Sequence, residues 1–360
     1  NDRWYLPFAP KGGPWAVEIT DAVDGWQHTS LRIAVLEPGQ QVGHTLCGEE
    51  GVVVPLMGGA TVAVAGEEHV LTGRPSVFAG PTDTLYAPAG SELTINNPGS
   101  APARVALCGA RVEDSTGGGR EVVLVPADRV PVELRGAGTC SREVRGFGMP
   151  DTLVEAEQIL ACEVITPGGN WSSYPAHKHD ENSEKESQLE EIYYFETQSV
   201  GDAAAGRAPV TRGTDREDGR QPVGYQQVYG AEGRPIDVLV EVATGDTVLV
   251  PHGWHGPAMA APDADLYYLN VMAGPGPERA WLICDDPAHG ADPVDTGDVN
   301  REPVVAPMPQ ALNRLRNCAS PSPTEVGCAE PFETSVILKL SEAAAALAAT
   351  SGGALSAAWA

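Results

Sequence analysis

Residues 242–256, VATGDTVLVPHGWHG, run an apolar strand into a Pro-x-Gly turn at Pro251 and Gly253. They have an echo at residues 77–91, VFAGPTDTLYAPAGS, where a strand again ends in Pro-x-Gly at Pro88 and Gly90. One strand-turn unit present in both halves of the chain predicts a duplicated β-barrel. Around the first copy lie SLRIAVLEPGQ (30–40), GVVVPLMGGATVAVAGEEHVL (51–71) and ARVALCGARVE (103–113). Around the second lie EQILACEVITPGG (157–169), LEEIYYFET (189–197) and DLYYLNVMAG (265–274). Short apolar or alternating runs separated by turn residues at this spacing read as strands of sandwiches or barrels, and the 41 glycines and 31 prolines supply the turns. The expected class is all-β.

Two segments break the pattern. Residues 197–224 are polar, rich in glycine and charge, and predict a long mobile loop. From about Ala291 the chain turns Pro-rich and then Ala-rich, ending in SEAAAALAATSGGALSAAWA, so a largely disordered tail is expected over 297–360. The remaining boundaries are expected near residue 130, giving barrels at 1–130 and 131–296.

The 360 residues carry a formal charge of -26, which repels phosphate backbones and anionic lipid surfaces and argues against nucleic-acid and membrane partners. No apolar run reaches the ~18 residues of a membrane span, and the first twenty residues lack a basic-then-apolar signal pattern. The seven cysteines, Cys47, Cys108, Cys140, Cys162, Cys284, Cys318 and Cys328, never form a CxxC pair, which argues against a disulfide framework or zinc ribbon. A reducing, cytoplasmic setting is the expectation; a homo-oligomer stays open.

Four of the eight histidines fall in one window. His177 and His179 flank Lys178, so on a strand both imidazoles share one side and Lys178 takes the other, as a structural residue. A carboxylate from Glu190 or Glu191 and an imidazole from His252 or His255 would complete a set of three imidazoles and one carboxylate from three strands. A lone HxH is a weak signal. HxH, then Glu-apolar-Tyr, then G-x5-P-x-G-x-H is a much stronger one.

That ordered pair resembles the two motifs of cupins, with three departures: eleven residues, DENSEKESQLE, separate His179 from Glu191, one residue and not two separates Gly253 from His255, and Met259 stands where the second motif often has Asn. More narrowly, DRWYLP (2–7), VRGFGMPD (144–151), EVITPGGNWSSYPAHKHD (163–180), LEEIYYF (189–195), GDTVLVPHGWHGPAMAAP (245–262) and LYYLNVMAGP (266–275) resemble the bicupin isomerases of inositol breakdown, which act on 5-deoxy-glucuronate. The resemblance spans roughly residues 1–290. It implies two double-stranded β-helix (jelly-roll) barrels in tandem, the first without a full ligand set, since Leu93 follows Pro88-x-Gly90 where a histidine would stand.

The resemblance also implies the ligand His255 rather than His252. Strand alternation puts Glu191 on the side of Tyr193 and Phe195, making it the expected carboxylate ligand and leaving Glu190 at most at the surface or in contact with a ligand residue. One divalent transition metal is expected, with imidazole and carboxylate suiting Mn, Fe, Co, Ni or Zn. Tyr193 and Tyr268 are candidate proton-transfer groups, and Gln226, Asn270 and Arg279 candidate contacts to a small sugar acid. Gln227 stands where the family usually has Arg. The implied reaction is aldose–ketose isomerisation. The alternatives are a ketol-isomerase of pectin breakdown, which keeps a short HxH-to-Glu spacing, a metal-dependent dioxygenase on the same barrel, and a non-catalytic sugar-binding bicupin.

Overall fold

The computed structural model describes residues 2–289 except 11, 114–116, 205 and 214–220. The expected tail at 297–360 therefore lies outside the described residues. Within them the chain is a bicupin, with many β-strands, short 3-10 turns and one α-helix, Val200–Ala204.

In the first half, one sheet runs in the order Val123–Val125, Thr84–Ala87, Glu49–Val64, Ala103–Arg111, Thr29–Leu36 and Val17–Ile19. The Glu49–Val64 strand is long enough to leave that sheet. After a bulge between Pro55 and Met57 it pairs with Glu67–Arg74 and Glu92–Asn96 in the opposite wall. Residues of one parity point into this barrel, and they are aliphatic: Val53, Val62, Leu71, Leu85, Leu93, Ile95, Val105 and Leu107 form one closed cluster.

In the second half, a seven-stranded sheet runs Tyr5–Leu6, Thr247–Val250, Glu190–Ser199, Ala264–Ala273, Leu160–Thr166, Arg142–Gly148 and Val132–Arg135. The N-terminal segment thus pairs with a strand from far along the chain, Tyr5 opposite Val248. Facing it are Arg234–Val242, Gly224–Ala231, Trp254–Ala260, His177–Lys178 and Cys284–Asp285, with Trp171–Ser172 paired to Trp254–Ala260.

The other parity of each main sheet forms the joint between the halves. Val52 and Val54 from one side and Ile192 and Tyr194 from the other belong to a single buried cluster that spans both barrels. Charged pairs cross it as well. Arg74 bonds Glu163, and Arg104 bonds Glu196 at 2.9 Å. Two carboxylates cross reciprocally. Glu50 accepts the backbone N–H groups of Glu157, Gln158 and Ile159, and Glu190 accepts those of Gln27, His28 and Thr29.

The loop expected over 197–224 is shorter than its composition suggests. The Glu190–Ser199 strand continues through Thr197, the Val200–Ala204 helix follows, and Thr197 Oγ1 donates to Pro222 O across the base of the excursion. Thr197 stays in the strand because Thr244 and Leu266 give it partners on both sides, a tertiary effect that local polarity does not reveal.

Candidate metal centre

Two strand segments bring the imidazoles together. His177 lies directly opposite His255 in the antiparallel pair between His177–Lys178 and Trp254–Ala260. His179 follows two residues on, and its carbonyl oxygen accepts the Leu189 N–H. The ring centroids of His177 and His255 are 4.4 Å apart, and those of His179 and His255 4.5 Å. One donor atom from each of the three rings lies within 4.8 Å of the others, and all three side chains are buried. Among the described residues this is the sole group of three or more His, Cys, Asp or Glu donors so close together.

The second nitrogens orient the rings. His179 Nδ1 sits 3.2 Å from Leu189 O and His255 Nδ1 3.1 Å from Gly253 O, which turns both Nε2 atoms toward Glu191. Glu191 Oε2 is 3.0 Å from His179 Nε2 and 3.1 Å from His255 Nε2. The His255 contact is off the axis of a good hydrogen bond, so that buried nitrogen has no directed partner. An orphaned imidazole nitrogen beside two other imidazoles and a carboxylate is the donor chemistry of a divalent transition-metal site.

The surroundings set the ionisation of the donors. Burial, then the neighbouring His255 and His179, hold the His177 pKa well below the ordinary histidine value, so this ring is neutral. Burial opposes ionisation of Glu191, yet the facing imidazoles bring its carboxyl down to about 2. For His179 burial works against protonation and Glu191 more than offsets it.

Behind the imidazoles a charged hub holds the eleven-residue insertion. Lys178 points away from the rings, as expected, and its Nζ donates to Asp180 at 2.9 Å and Glu186 at 2.8 Å. Glu186 also accepts the N–H groups of Asp180 and Glu181. Asp180 in turn accepts Gly253 N–H at 2.7 Å, tying the HxH segment to the turn before His255. Gly253 has φ 90°, and a Cβ there would lie 2.6 Å from Tyr229 O, so the Pro-x-Gly turn needs glycine for both conformation and space.

A polar wall continues from the ligands. The Tyr193 and Tyr268 rings are 5.1 Å apart, and Tyr193 lies 6.2 Å from His255. Tyr268 donates to Ser172 Oγ at 2.9 Å, and Ser172 is linked to Thr166 at 2.9 Å. Burial, then the charge of Glu191, raises the Tyr193 pKa well above the ordinary phenol value, and burial raises Tyr268 to about 12. Asn270 lies opposite Tyr193 in the strand pair, with its Nδ2 unpartnered among the described residues. Gln226 is fully buried with Oε1 unpartnered among the described residues, on the same strand face as Val228, which lies opposite His255. Gln227 is on the alternate, outward face.

Two expectations change. Arg279 is not brought to this cluster; its guanidinium donates to Ile159 O at 2.6 Å, Gly148 O at 2.7 Å and Leu153 O, locking three backbone segments near Glu50 and Tyr86. Glu190 is no surface contact, being the buried carboxylate that caps residues 27–29. Ser172 and the Asp180–Glu186 hub were not singled out in the sequence. The serine lay in view within the quoted WSSY run, whereas the hub depends on a fold-back of the insertion that has no local signature.

The first barrel has a different solution at the matching place. His44 lies opposite Leu93, as His177 lies opposite His255. Glu49 there is held by Arg32 at 2.9 Å, Ser30 at 2.6 Å and His44 at 3.2 Å. A guanidinium takes the part of the cation, beside a polar cavity of about 320 Å³ that also includes Cys47 and Arg111.

The profile of the KduI/IolB family matches residues 5–291. A protein of Geobacillus kaustophilus named 5-deoxy-glucuronate isomerase is 35% identical over 276 residues, covering 76% of this chain and 88% of its own. One of the same name from Bacillus subtilis (strain 168) is 34% identical over 277 residues, covering 76% and 90%. The crystal structure of an IolB-like protein from Salmonella typhimurium LT2 superposes with a TM-score of 0.67 at 28% identity, covering 80% of this chain and 98% of that one.

Proposed function

The chain belongs to the KduI/IolB family of isomerases, and from that premise we propose that it converts 5-deoxy-D-glucuronate into 5-dehydro-2-deoxy-D-gluconate with a divalent transition metal held by His177, His179, His255 and Glu191. The observation that carries this reading is the convergence of those four side chains inside the second barrel, in a chain whose relatives bear that enzyme name. A metal bound there supplies Lewis acidity toward adjacent carbonyl and hydroxyl oxygens and so makes the C–H between them easier to deprotonate. With three neutral imidazoles and one carboxylate around a divalent ion, the net charge is positive by one, which draws a sugar acid into a protein of net charge -26.

The chain's own groups handle orientation and protons. The raised pKa values of Tyr193 and Tyr268 keep both phenols protonated at neutral pH, so neither serves as a base; the Tyr193 O–H can donate to a substrate oxygen, and Tyr268, whose O–H goes to Ser172, can accept from a substrate hydroxyl. Asn270 Nδ2 and Gln226 Oε1, buried and unpartnered, offer one donor and one acceptor to the hydroxyls of the sugar chain. The apolar strands around them exclude water from the exchange.

The test is an NMR assay of metal-replete protein with 5-deoxy-D-glucuronate, with and without chelator. The aldehyde proton is expected to disappear as ketone signals grow, with loss on chelation and recovery on metal addition. No turnover of this acid, turnover of the pectin-derived uronate in its place, or a strict requirement for oxygen would each overturn the reading.

A further inference from the structure

We infer that Arg142 receives the carboxylate of the substrate and sets the enzyme's preference for acids over neutral sugars. The inference rests on the isomerase reading of the second barrel.

Strand register gives the direction of the side chain. Val144 pairs with Val164, Val164 with Tyr268, and Tyr268 with Phe195, a row on the same face as Tyr193 and Glu191. Arg142 lies two residues before Val144 and so shares that face. Its positive charge acts on His177, Tyr268 and Asp285, and Asp285 is the strand partner of His177. The guanidinium thus stands at the far end of a polar line that runs from Glu191 through Tyr193 and Tyr268.

The contact pattern distinguishes it from the other interior arginines. Arg32, Arg74, Arg104 and Arg145 each hold a carboxylate. Arg142 has none within 4.0 Å among the described residues, and its one hydrogen bond is to Cys140 O at 3.3 Å. Burial lowers its pKa and the neighbouring groups do not restore it; a guanidinium stays charged regardless. A half-buried cation without an anion is costly unless an anion arrives, and the fork of a guanidinium matches a carboxylate in two parallel hydrogen bonds.

The surroundings are built to keep it there. Gly136 has φ +77°, and a Cβ at that position would lie 2.8 Å from Arg142 Nη1 and collide with Cys140 O, so only glycine lets the 136–140 turn wrap the guanidinium. Asn170 Nδ2 donates to Ser141 O at 2.9 Å, fixing this turn against the segment that carries Ser172. A substrate whose carbonyl end meets the imidazoles then has its carboxylate end at Arg142, and the carbons between lie along the two phenols.

The experiment compares wild type, Arg142→Gln and Arg142→Lys, all metal-replete by elemental analysis. Two readouts are used: KM and kcat for 5-deoxy-D-glucuronate, and calorimetric binding of D-gluconate against uncharged D-glucitol. Arg142→Gln is expected to raise KM by about 10–100-fold and to abolish the preference for gluconate, with metal content unchanged, and Arg142→Lys to recover part of both. Unchanged KM and unchanged gluconate preference in Arg142→Gln would overturn the assignment. Should wild type fail to isomerise the substrate while gluconate binding still depends on Arg142, the isomerase reading falls and the anion site stands. If Arg142→Gln does not fold, equal gluconate binding by wild type and the lysine variant, which keeps the charge and loses the fork, overturns the two-bond recognition claimed here.

Discussion

Glu190 and Glu191 are chemically identical neighbours with opposite surroundings. Glu191 faces two imidazole nitrogens at 3.0 and 3.1 Å, and Glu190 faces three backbone N–H groups of the other half plus Thr29 Oγ1. Glu191→Gln is expected to remove most of the bound metal and to lower turnover by orders of magnitude. Glu190→Gln should keep near-stoichiometric metal in the folded protein but lose about 2–3 kcal/mol of stability, since a neutral amide accepts these bonds more weakly than a charged carboxylate. Metal content and thermal unfolding measured side by side check both, and the reverse ranking would mean that Glu190 is the ligand. The orientation of this pair was legible in LEEIYYF, because alternation needs only the next few residues. The partner of Glu190 was not, since residues 27–29 meet it only through the packing of one sheet on another. Arg279 shows the same limit. A sequence shows a guanidinium, whereas the three carbonyls that occupy it come from the distant 148–159 region.

Among strands, the contrast between the two barrels lies in a few interior positions on similar frames. Leu93 fills the first barrel where His255 stands in the second, and it packs in an aliphatic cluster with Val42, Leu46 and Leu71. Elemental analysis is therefore expected to give one transition-metal equivalent per chain, lost in a His177→Ala, His179→Ala double variant. Two equivalents would show that Glu49 and His44 bind a second ion in place of Arg32. Leu93→Ala should cost about 2–5 kcal/mol and leave kcat nearly intact, because the lost contacts are apolar and in the other barrel; a matching fall in kcat would contradict that separation. The strand pattern and the repeat were readable because period-two patterning and Pro-x-Gly turns are local. The fold-back of residues 180–189 onto Lys178 was not, as polar residues there read equally well as solvated loop.

For the molecule as a whole, the joint between the barrels mixes an apolar cluster with buried ion pairs. Glu163 is fully enclosed with Arg74, Arg145 and Tyr267. Burial opposes its ionisation, but Arg74 and the others more than compensate, so its pKa in the folded chain is below the usual 4.5. A carboxyl with a depressed folded pKa contributes stability that is complete above its unfolded pKa and fades as pH falls through the folded one. Unfolding free energy is expected to decline below about pH 4.5, and Glu163→Gln should flatten that acid limb while destabilising the protein at neutral pH by about 3–5 kcal/mol. A wild-type acid limb retained in the variant would assign it to other carboxyls. The reciprocal carboxylates at this joint carry a further consequence for biogenesis. On the ribosome the first half emerges first, and Glu50 then has its side chain ready while its partners at 157–159 are still being translated. Glu190 follows and finds residues 27–29 already waiting. The last clasp comes later still, when Thr247–Val250 receives the N-terminal Tyr5–Leu6. The aliphatic interior of the first barrel needs only residues already made, whereas the joint between the halves can close only after residues 157–159, Glu190 and the Thr247–Val250 strand have followed.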